Sequence, residues 1–405
     1  MCSPLVKDFS IFNAWGDKRL TELKFRKNVT FITGFNGTGK TTLLELLNFS
    51  LSDPMSIPPN YHNWCTKILL KNKIALFSFD MGVTSERKQN KINAGLRKIK
   101  DKPQLEDMTL THFYNLILKD MDAPKHNQEY MTSVVSNKPA SDVDTTTAGR
   151  IMFSRNDNPQ RTNDVKDLVS PIYYREEVFI DSDRPYTNHP DNKKTNIYDK
   201  SILLDFTLKE LLIDFLSKEK ELALSDNQKK NNSNSDSVFK EINTLLSGRG
   251  IDEDVAFKLK ENFLSLTKKD DGYKFEVKED VVKKFENVVD DFFECTDKKV
   301  CRDSRGLLAL KDKKSNTIES SNLSRGEKNV LILLILAFLS RDEKKVFILD
   351  EPDLTLHIEW QKKIVAKLLE LAPKSQFIIA THSPALFMNN IDFDVINMMD
   401  VTYYE

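Results

Sequence analysis

The octet Gly34-Phe-Asn-Gly-Thr-Gly-Lys-Thr41 leaves the chain around it little freedom. An apolar run, Val29 to Thr33, leads in with the length of a short buried strand, and Thr42-Leu-Leu-Glu-Leu-Leu-Asn48 leads out with leucines at helical spacing. Turning a strand into a helix within eight residues calls for backbone conformations open to glycine, and three of the chain's twelve glycines fall here. In that setting the pattern G-x-x-x-x-G-K-[ST] predicts a phosphate cradle. Backbone N–H groups around Gly37 and Gly39 wrap the anion, and the helix N-terminus adds its dipole. The candidate contacts are Asn36, Gly37, Thr38, Gly39, Lys40, Thr41 and Thr42. Lys40 is placed for the β- and γ-phosphates of ATP, and the Thr41 hydroxyl for Mg²⁺.

A chain of 405 residues can bury a sizeable core as one large domain or two ordinary ones. Its net charge of −1 gives no global field toward nucleic acid or an anionic membrane, so any nucleic-acid contact has to be local. The longest apolar run, Val330 to Leu339, is too short to span a bilayer. Met1 to Asp8 lacks the basic-then-apolar order of a signal peptide. A cytoplasmic protein with no membrane partner is expected. Cys2, Cys65, Cys295 and Cys301 make no C-x-x-C pair, and reduced thiols are the simple reading.

Toward the other end stands Asn322-Leu-Ser-Arg-Gly-Glu-Lys328, followed by an apolar helix and then Lys345-Val-Phe-Ile-Leu-Asp-Glu-Pro352. Four apolar residues ending in two carboxylates predict a buried parallel strand with its acids at the carboxyl end, where open α/β sheets bind ligands. Asp350 is placed to hold Mg²⁺, and Glu351 to orient or deprotonate an attacking water. A third strand, Gln376-Phe-Ile-Ile-Ala-Thr-His382, ends on a histidine placed for a γ-phosphate contact. Glu351 and His382 are the candidate catalytic residues.

The order G-F-N-G-T-G-K-T, L-S-R-G-E-K, F-I-L-D-E-P and A-T-H-S resembles an ATP-binding-cassette (ABC-type) ATPase head. The likeness is to the SMC, RecF and overcoming-lysogenisation-defect ATPases rather than to transporters, and it covers residues 1–85 and 280–405. It implies an α/β fold: a mixed sheet with flanking helices, interrupted by a mainly helical insertion over 86–279. It implies further that the signature of one protomer, Ser324, Arg325, Gly326 and Glu327, closes over ATP held by another. Ser324 and Gly326 then meet the γ-phosphate at a helix N-terminus, where free N–H donors suit an anion. A homodimer or higher homo-oligomer through ATP-bound heads follows. Two positions depart from the pattern. His357 stands where such heads usually carry the D-loop aspartate, as in the overcoming-lysogenisation-defect branch. For the Q-loop glutamine the candidates are Gln89, Gln104 and Gln160.

Residues 65–79 read as a β-hairpin turned at Lys71 that completes the head's antiparallel sheet; within the insertion, Glu86–Lys102 reads as a basic face, solvated or touching nucleic-acid phosphates. Residues 132–167 read as a polar loop, and Ile172–Ile180 as one strand. Helices are expected at 203–224, 238–246, 252–268 and 279–293, a strand at 273–277, and an exposed connector at 226–236. The absence of sustained heptads makes the insertion a compact lobe rather than a long arm. Leu204, Leu208, Leu211, Leu212 and Phe215, at helical spacing, read as core. By resemblance, stand-alone heads of this type serve in antiphage defence beside a separate nuclease of TOPRIM or HNH type, as do the PtuA-like ATPases of Septu and retron systems and the AriA-like ATPases of PARIS. The expectation is a sensor or scaffold controlling such an effector; the alternative is a RecF- or SMC-like DNA-binding ATPase of repair.

Overall fold

The structure, a computed structural model, describes residues 4–52, 64–71, 75–80, 108–117, 148–153, 169–175, 178–181, 200–228, 279–388 and 391–404. The basic segment 86–102, the three Q-loop candidates, and the elements expected at 238–246, 252–268 and 273–277 lie outside them. In chain order the elements are β1 (Val6–Phe12), β2 (Arg19–Lys24), β3 (Val29–Thr33), α1 (Lys40–Leu51), β4 (Trp64–Leu70), β5 (Ala75–Asp80), α2 (Leu110–Ile117), β6 (Ala148–Phe153), β7 (Ser170–Arg175) and β8 (Val178–Asp181). There follow α3 (Lys200–Gln228), α4 (Glu279–Phe293), β9 (Lys299–Arg302), β10 (Leu308–Lys311), β11 (Thr317–Ile318), α5 (Arg325–Leu339), β12 (Lys345–Asp350), α6 (Ile358–Leu371), β13 (Gln376–Ala380), β14 (Asp394–Asn397) and β15 (Thr402–Tyr404). Two compact units result: Met1–Asp183 with Ser340–Glu405, and Arg184–Leu339. Among the described residues no helix is long and apolar enough to cross a membrane.

The first unit holds two sheets, each six-stranded among the described residues. One is antiparallel, in the order β15-β2-β1-β4-β5-β6. The other runs β14-β3-β13-β12-β7-β8 and is parallel except for the antiparallel β8 at its edge. Its central strands read as continuous apolar runs because they are covered on both faces; all of β12 and β13 is buried. Helix α1 packs against strands of both sheets. Leu43, Leu44, Leu46 and Leu47 are fully buried in one core with residues from each. Such a helix needs apolar residues on more than one side, hence two Leu-Leu pairs within five positions. Beyond the antiparallel sheet, α2 adds Phe113, whose ring stacks on Phe77 at 4.7 Å.

Parallel register aligns the ends of the strands. Ile32 pairs with Ala380, Ala380 with Asp350, and Asp350 with Arg175. These four residues form one row across β3, β13, β12 and β7, so the loops that leave the row share an edge.

The hairpin expected within 65–79 is β4 paired with β5. Other segments differ from expectation. Residues 148–153, inside the polar stretch, form β6 on the antiparallel sheet, and Ile172–Ile180 is two strands of a hairpin, β7 and β8. Both lie within the span expected as an insertion, yet they extend the sheets of the first unit. Short strands paired over long sequence separations leave little periodicity to read. The helix expected at 203–224 runs from Lys200 to Gln228 and takes in the start of the presumed connector; the helix expected at 279–293 has those ends.

In the second unit, α3, α4 and α5 pack with a three-stranded sheet, β11-β10-β9. Phe215, Phe285 and Phe338, one from each helix, have ring centroids 4.7–5.0 Å apart. Leu204, Leu208, Leu211, Leu212 and Phe215 are buried, the core role read from their spacing. Arg302 lies over the Phe215 ring at 5.6 Å and bonds Glu219 at 2.9 Å and Glu286 at 2.5 Å, closing the rim of this cluster.

Gln376 clasps the first unit together. Fully buried at the start of β13, its Oε1 accepts from Val6 N at 2.8 Å and its Nε2 donates to Val6 O at 3.1 Å, so a side chain of one sheet completes the backbone of the other. Gln376→Leu strands a buried N–H and a buried C=O. It is expected to cost about 2–6 kcal/mol, from 1–3 kcal/mol per orphaned group. Urea unfolding of the variant checks this, and an unchanged midpoint would contradict it.

Candidate functional site

The site grows from the row that ends the parallel strands. Gly34 comes two residues after Ile32, His382 two after Ala380, and Glu351 one after Asp350, so three loops deliver their side chains to one edge. The P-loop reaches α1 through Gly39, which takes φ +92° and caps the helix without any side-chain cap bond. Lys40, Thr41 and Thr42 thus begin a helix whose first N–H groups have no intrahelical acceptor, as a phosphate requires. A Cβ on Gly39 would come within 2.4 Å of the Trp15 ring, so the indole and the left-handed backbone together restrict this position to glycine.

Lys40 is buried, and its ammonium donates to the carbonyls of Gly34 at 3.1 Å and Phe35 at 3.3 Å. It also lies 2.8 Å from His382 Nε2. Burial pulls its pKa below the usual lysine value, against the opposing carboxylates of Glu351 and Asp350.

Asp350 carries the observation that bears on a metal. Its Oδ2 accepts from the Thr41 hydroxyl at 2.8 Å, while its buried Oδ1 has no partner among the described residues. Burial raises its pKa and the neighbouring Glu351 adds to this, while Thr41, Arg175 and Lys40 pull the other way. A half-satisfied, desolvated carboxylate beside a hydroxyl is a donor set of hard oxygens, the type Mg²⁺ takes. The residues fit: Thr41 and Asp350 would hold the ion.

Strand alternation would send Asp350 and Glu351 to opposite faces. Glu351 instead adopts φ +48°, a left-handed conformation uncommon for a non-glycine, pinned by its N–H to Ala380 O at 2.9 Å. The kink lets both carboxylates act on Lys40. Glu351 Oε1 stands 3.6 Å from His382 Nε2, and both side chains keep a third or more of their surface open.

The structure thus brings Lys40, Thr41, Asp350, Glu351 and His382 together. Asn36 and Gly37 form the turn of the same loop, with Thr38 bonded back to Phe35 O at 2.9 Å. Ser324, Arg325, Gly326 and Glu327 belong to the second unit, at the start of α5. There Ser324 Oγ accepts from Glu327 N at 3.3 Å and Glu327 Oε2 accepts from Ser324 N at 2.9 Å, a reciprocal capping box. His357 is the N-cap of α6, its Nδ1 accepting from Glu359 N at 3.3 Å.

Sequence reasoning missed Trp15 and Arg175. Arg175 pairs in register with Asp350 and makes an ion pair with Glu45, one turn into α1 from Thr41. An arginine ending an apolar strand was the available signal, hidden while β7 and β8 read as one strand.

Such an edge is the working face of an ABC-type P-loop ATPase head. Residues 141–389 match the family described as "AAA domain, putative AbiEii toxin, Type IV TA system", and residues 6–248 a family described as "AAA domain". The chain belongs to this AAA-domain family and is an ATPase. It is similar to the "Retron Vc95 probable ATPase" of Vibrio cholerae serotype O1 biovar El Tor, 26% identical over 412 residues that cover 95% of this chain and 73% of that protein. Over 89 residues it is 34% identical to the "Retron Ec83 probable ATPase" of Escherichia coli, covering 19% of this chain and 16% of that one. Among solved structures it is similar to the SMC head domain from Thermotoga maritima, at 10% identity and TM-score 0.40, covering 97% of this chain and 94% of that one. For an SmcHead bound to the C-winged helix domain of ScpA the values are 12% and 0.42, covering 95% and 92%.

Gly39→Ala should lower ATP affinity by about tenfold, the equivalent of the 1–2 kcal/mol that a left-handed backbone costs an ordinary residue. Calorimetric titration with ATP measures it, and wild-type affinity would show that the loop accepts a Cβ.

Proposed function

We propose that this chain binds and hydrolyses Mg–ATP between paired heads and serves as the sensor or scaffold that controls a separate effector nuclease in antiphage defence. The convergence of Lys40, Thr41, Asp350, Glu351 and His382 on one sheet edge carries this reading. In it, the uncapped start of α1 and the Lys40 ammonium bind the triphosphate. Thr41 and Asp350 would hold Mg²⁺, which would supply charge neutralisation for the triphosphate. Glu351 orients the attacking water and takes its proton, and His382 contacts the γ-phosphate.

Pairing is supported by what the site leaves uncovered. Phe35 and Leu354, 78% and 71% exposed, stand on the same two loops as Lys40 and Glu351, and large apolar side chains so placed favour a covering surface. The capping box supports the signature's share in this. Glu327, buried and bonded to Lys298, holds the helix start, while Ser324 accepts from the backbone and keeps its own O–H to donate toward a partner's phosphate. Arg325 and Gly326 complete that face.

The control of an effector rests on the similarity to retron ATPases and on the resemblance to PtuA-like and AriA-like proteins. The domain division proposed with it keeps 1–85 and 280–405 as the two parts of the head around an insertion over 86–279, with β6, β7 and β8 of that span joining the head's sheets.

Lys40→Ala should abolish ATP binding, and with it protection against phage. Glu351→Gln should bind ATP, turn it over at least a hundredfold more slowly than wild type, and accumulate a head-to-head complex by size-exclusion chromatography with light scattering. Wild-type turnover in Glu351→Gln would remove it as the base. DNA binding that is steep in salt and stimulates turnover would favour a repair ATPase instead.

A further inference from the structure

We propose that Gln361 is a positioning residue for ATP hydrolysis, latching the loop after β12 to the loop after β13 and so fixing Glu351 against His382. The inference rests on the reading of those two residues as the hydrolytic pair. They stand on separate loops, so their 3.6 Å separation is only as well defined as the placement of one loop against the other.

One side-chain amide supplies that placement. Gln361 Nε2 donates to the carbonyls of Asp353 at 3.0 Å and Leu356 at 2.9 Å, both in the loop that begins at Glu351. Its Oε1 accepts from Ser383 Oγ at 2.6 Å, in the residue after His382. A second tie runs alongside. Thr381 Oγ1 donates to Asp353 Oδ1 at 2.6 Å, both residues being buried, and accepts from Ser383 N at 2.9 Å. The latch itself is anchored, because Gln361 N donates to His357 O at 3.0 Å in the first turn of α6, the turn that His357 caps. None of the hydrogen bonds described for Gln361, Asp353, Thr381 and Ser383 reaches Lys40, Thr41, Asp350, Glu351 or His382. The network therefore sets geometry without taking part in nucleotide capture.

The chemistry requires an amide. Two backbone carbonyls need two donors, and a serine hydroxyl needs an acceptor. A carboxylate satisfies only the serine and sets its charge against the two carbonyls, and leucine satisfies none. A displacement of about 1 Å in a catalytic group can cost a hundredfold in rate.

The test is steady-state ATPase kinetics of the full chain with Gln361→Leu, Gln361→Glu and Ser383→Ala, beside calorimetric titration with Mg–ATP. Gln361→Leu should lower kcat by about tenfold to a hundredfold, leaving KM and the ATP dissociation constant within about twofold of wild type. Ser383→Ala, which cuts only the β13 side, should lose less, and it carries the test if Gln361→Leu fails to fold. In a Glu351→Gln background, Gln361→Leu should slow turnover no further. Wild-type kcat in both Gln361→Leu and Ser383→Ala, or loss of ATP affinity matching the loss of kcat, would overturn the latch. Full turnover by Glu351→Gln alone would instead sink the parent assignment.

Discussion

Backbone hydrogen bonds through β3, β13, β12 and β7 hold strands whose side chains are enclosed above and below. No slip of that ladder is tolerable, since a shift of one residue turns every side chain to the wrong face. The consequence is chemical. With Ile32, Ala380, Asp350 and Arg175 locked abreast, the chain can commit its polar residues to the first one or two positions beyond the row and rely on them meeting. Helix α1 then sits where its leucines seal both sheets, so the loop before it is anchored by apolar packing as well as by the bonds of Thr38 and Lys40 to its own carbonyls.

Polar groups at this edge are costly to keep, and the structure shows how the cost is met. Lys40 and Asp350 lose water, and each shifts toward its neutral form. Their compensation is unequal: two loop carbonyls and an imidazole for the lysine, a hydroxyl for only one oxygen of the aspartate. Glu351 adds a backbone in a sparsely populated conformation. Unsatisfied hydrogen bonding and stored strain at one place are what a site built for a highly charged ligand should carry.

Much of this was legible in the amino-acid order because it is local. Glycine and lysine at fixed offsets between a strand and a helix, or two acids closing an apolar run, place chemistry without knowledge of distant partners. What stayed hidden depends on pairing. β6 hid in a polar stretch because its partner β5 lies some seventy positions upstream, and polar composition outweighed it. Arg175 gained meaning only once β7 was set beside β12. Gln361 reads as an ordinary residue of an amphipathic helix until the carbonyls of Asp353 and Leu356 fold back onto it. His357 was legible as a departure from a family pattern, but its task as a helix cap was visible only from the bond to Glu359.

Lys40 has a full set of partners within the protein itself, so capture of an anion there would be a ligand substitution rather than an addition. An incoming oxygen must outcompete the imidazole or a loop carbonyl for the ammonium. A singly charged anion gains little in that contest, whereas a polyphosphate, engaging α1's open N-terminus as well, gains at several points together. The loop thereby favours a ligand of high charge over the small anions that crowd any cell.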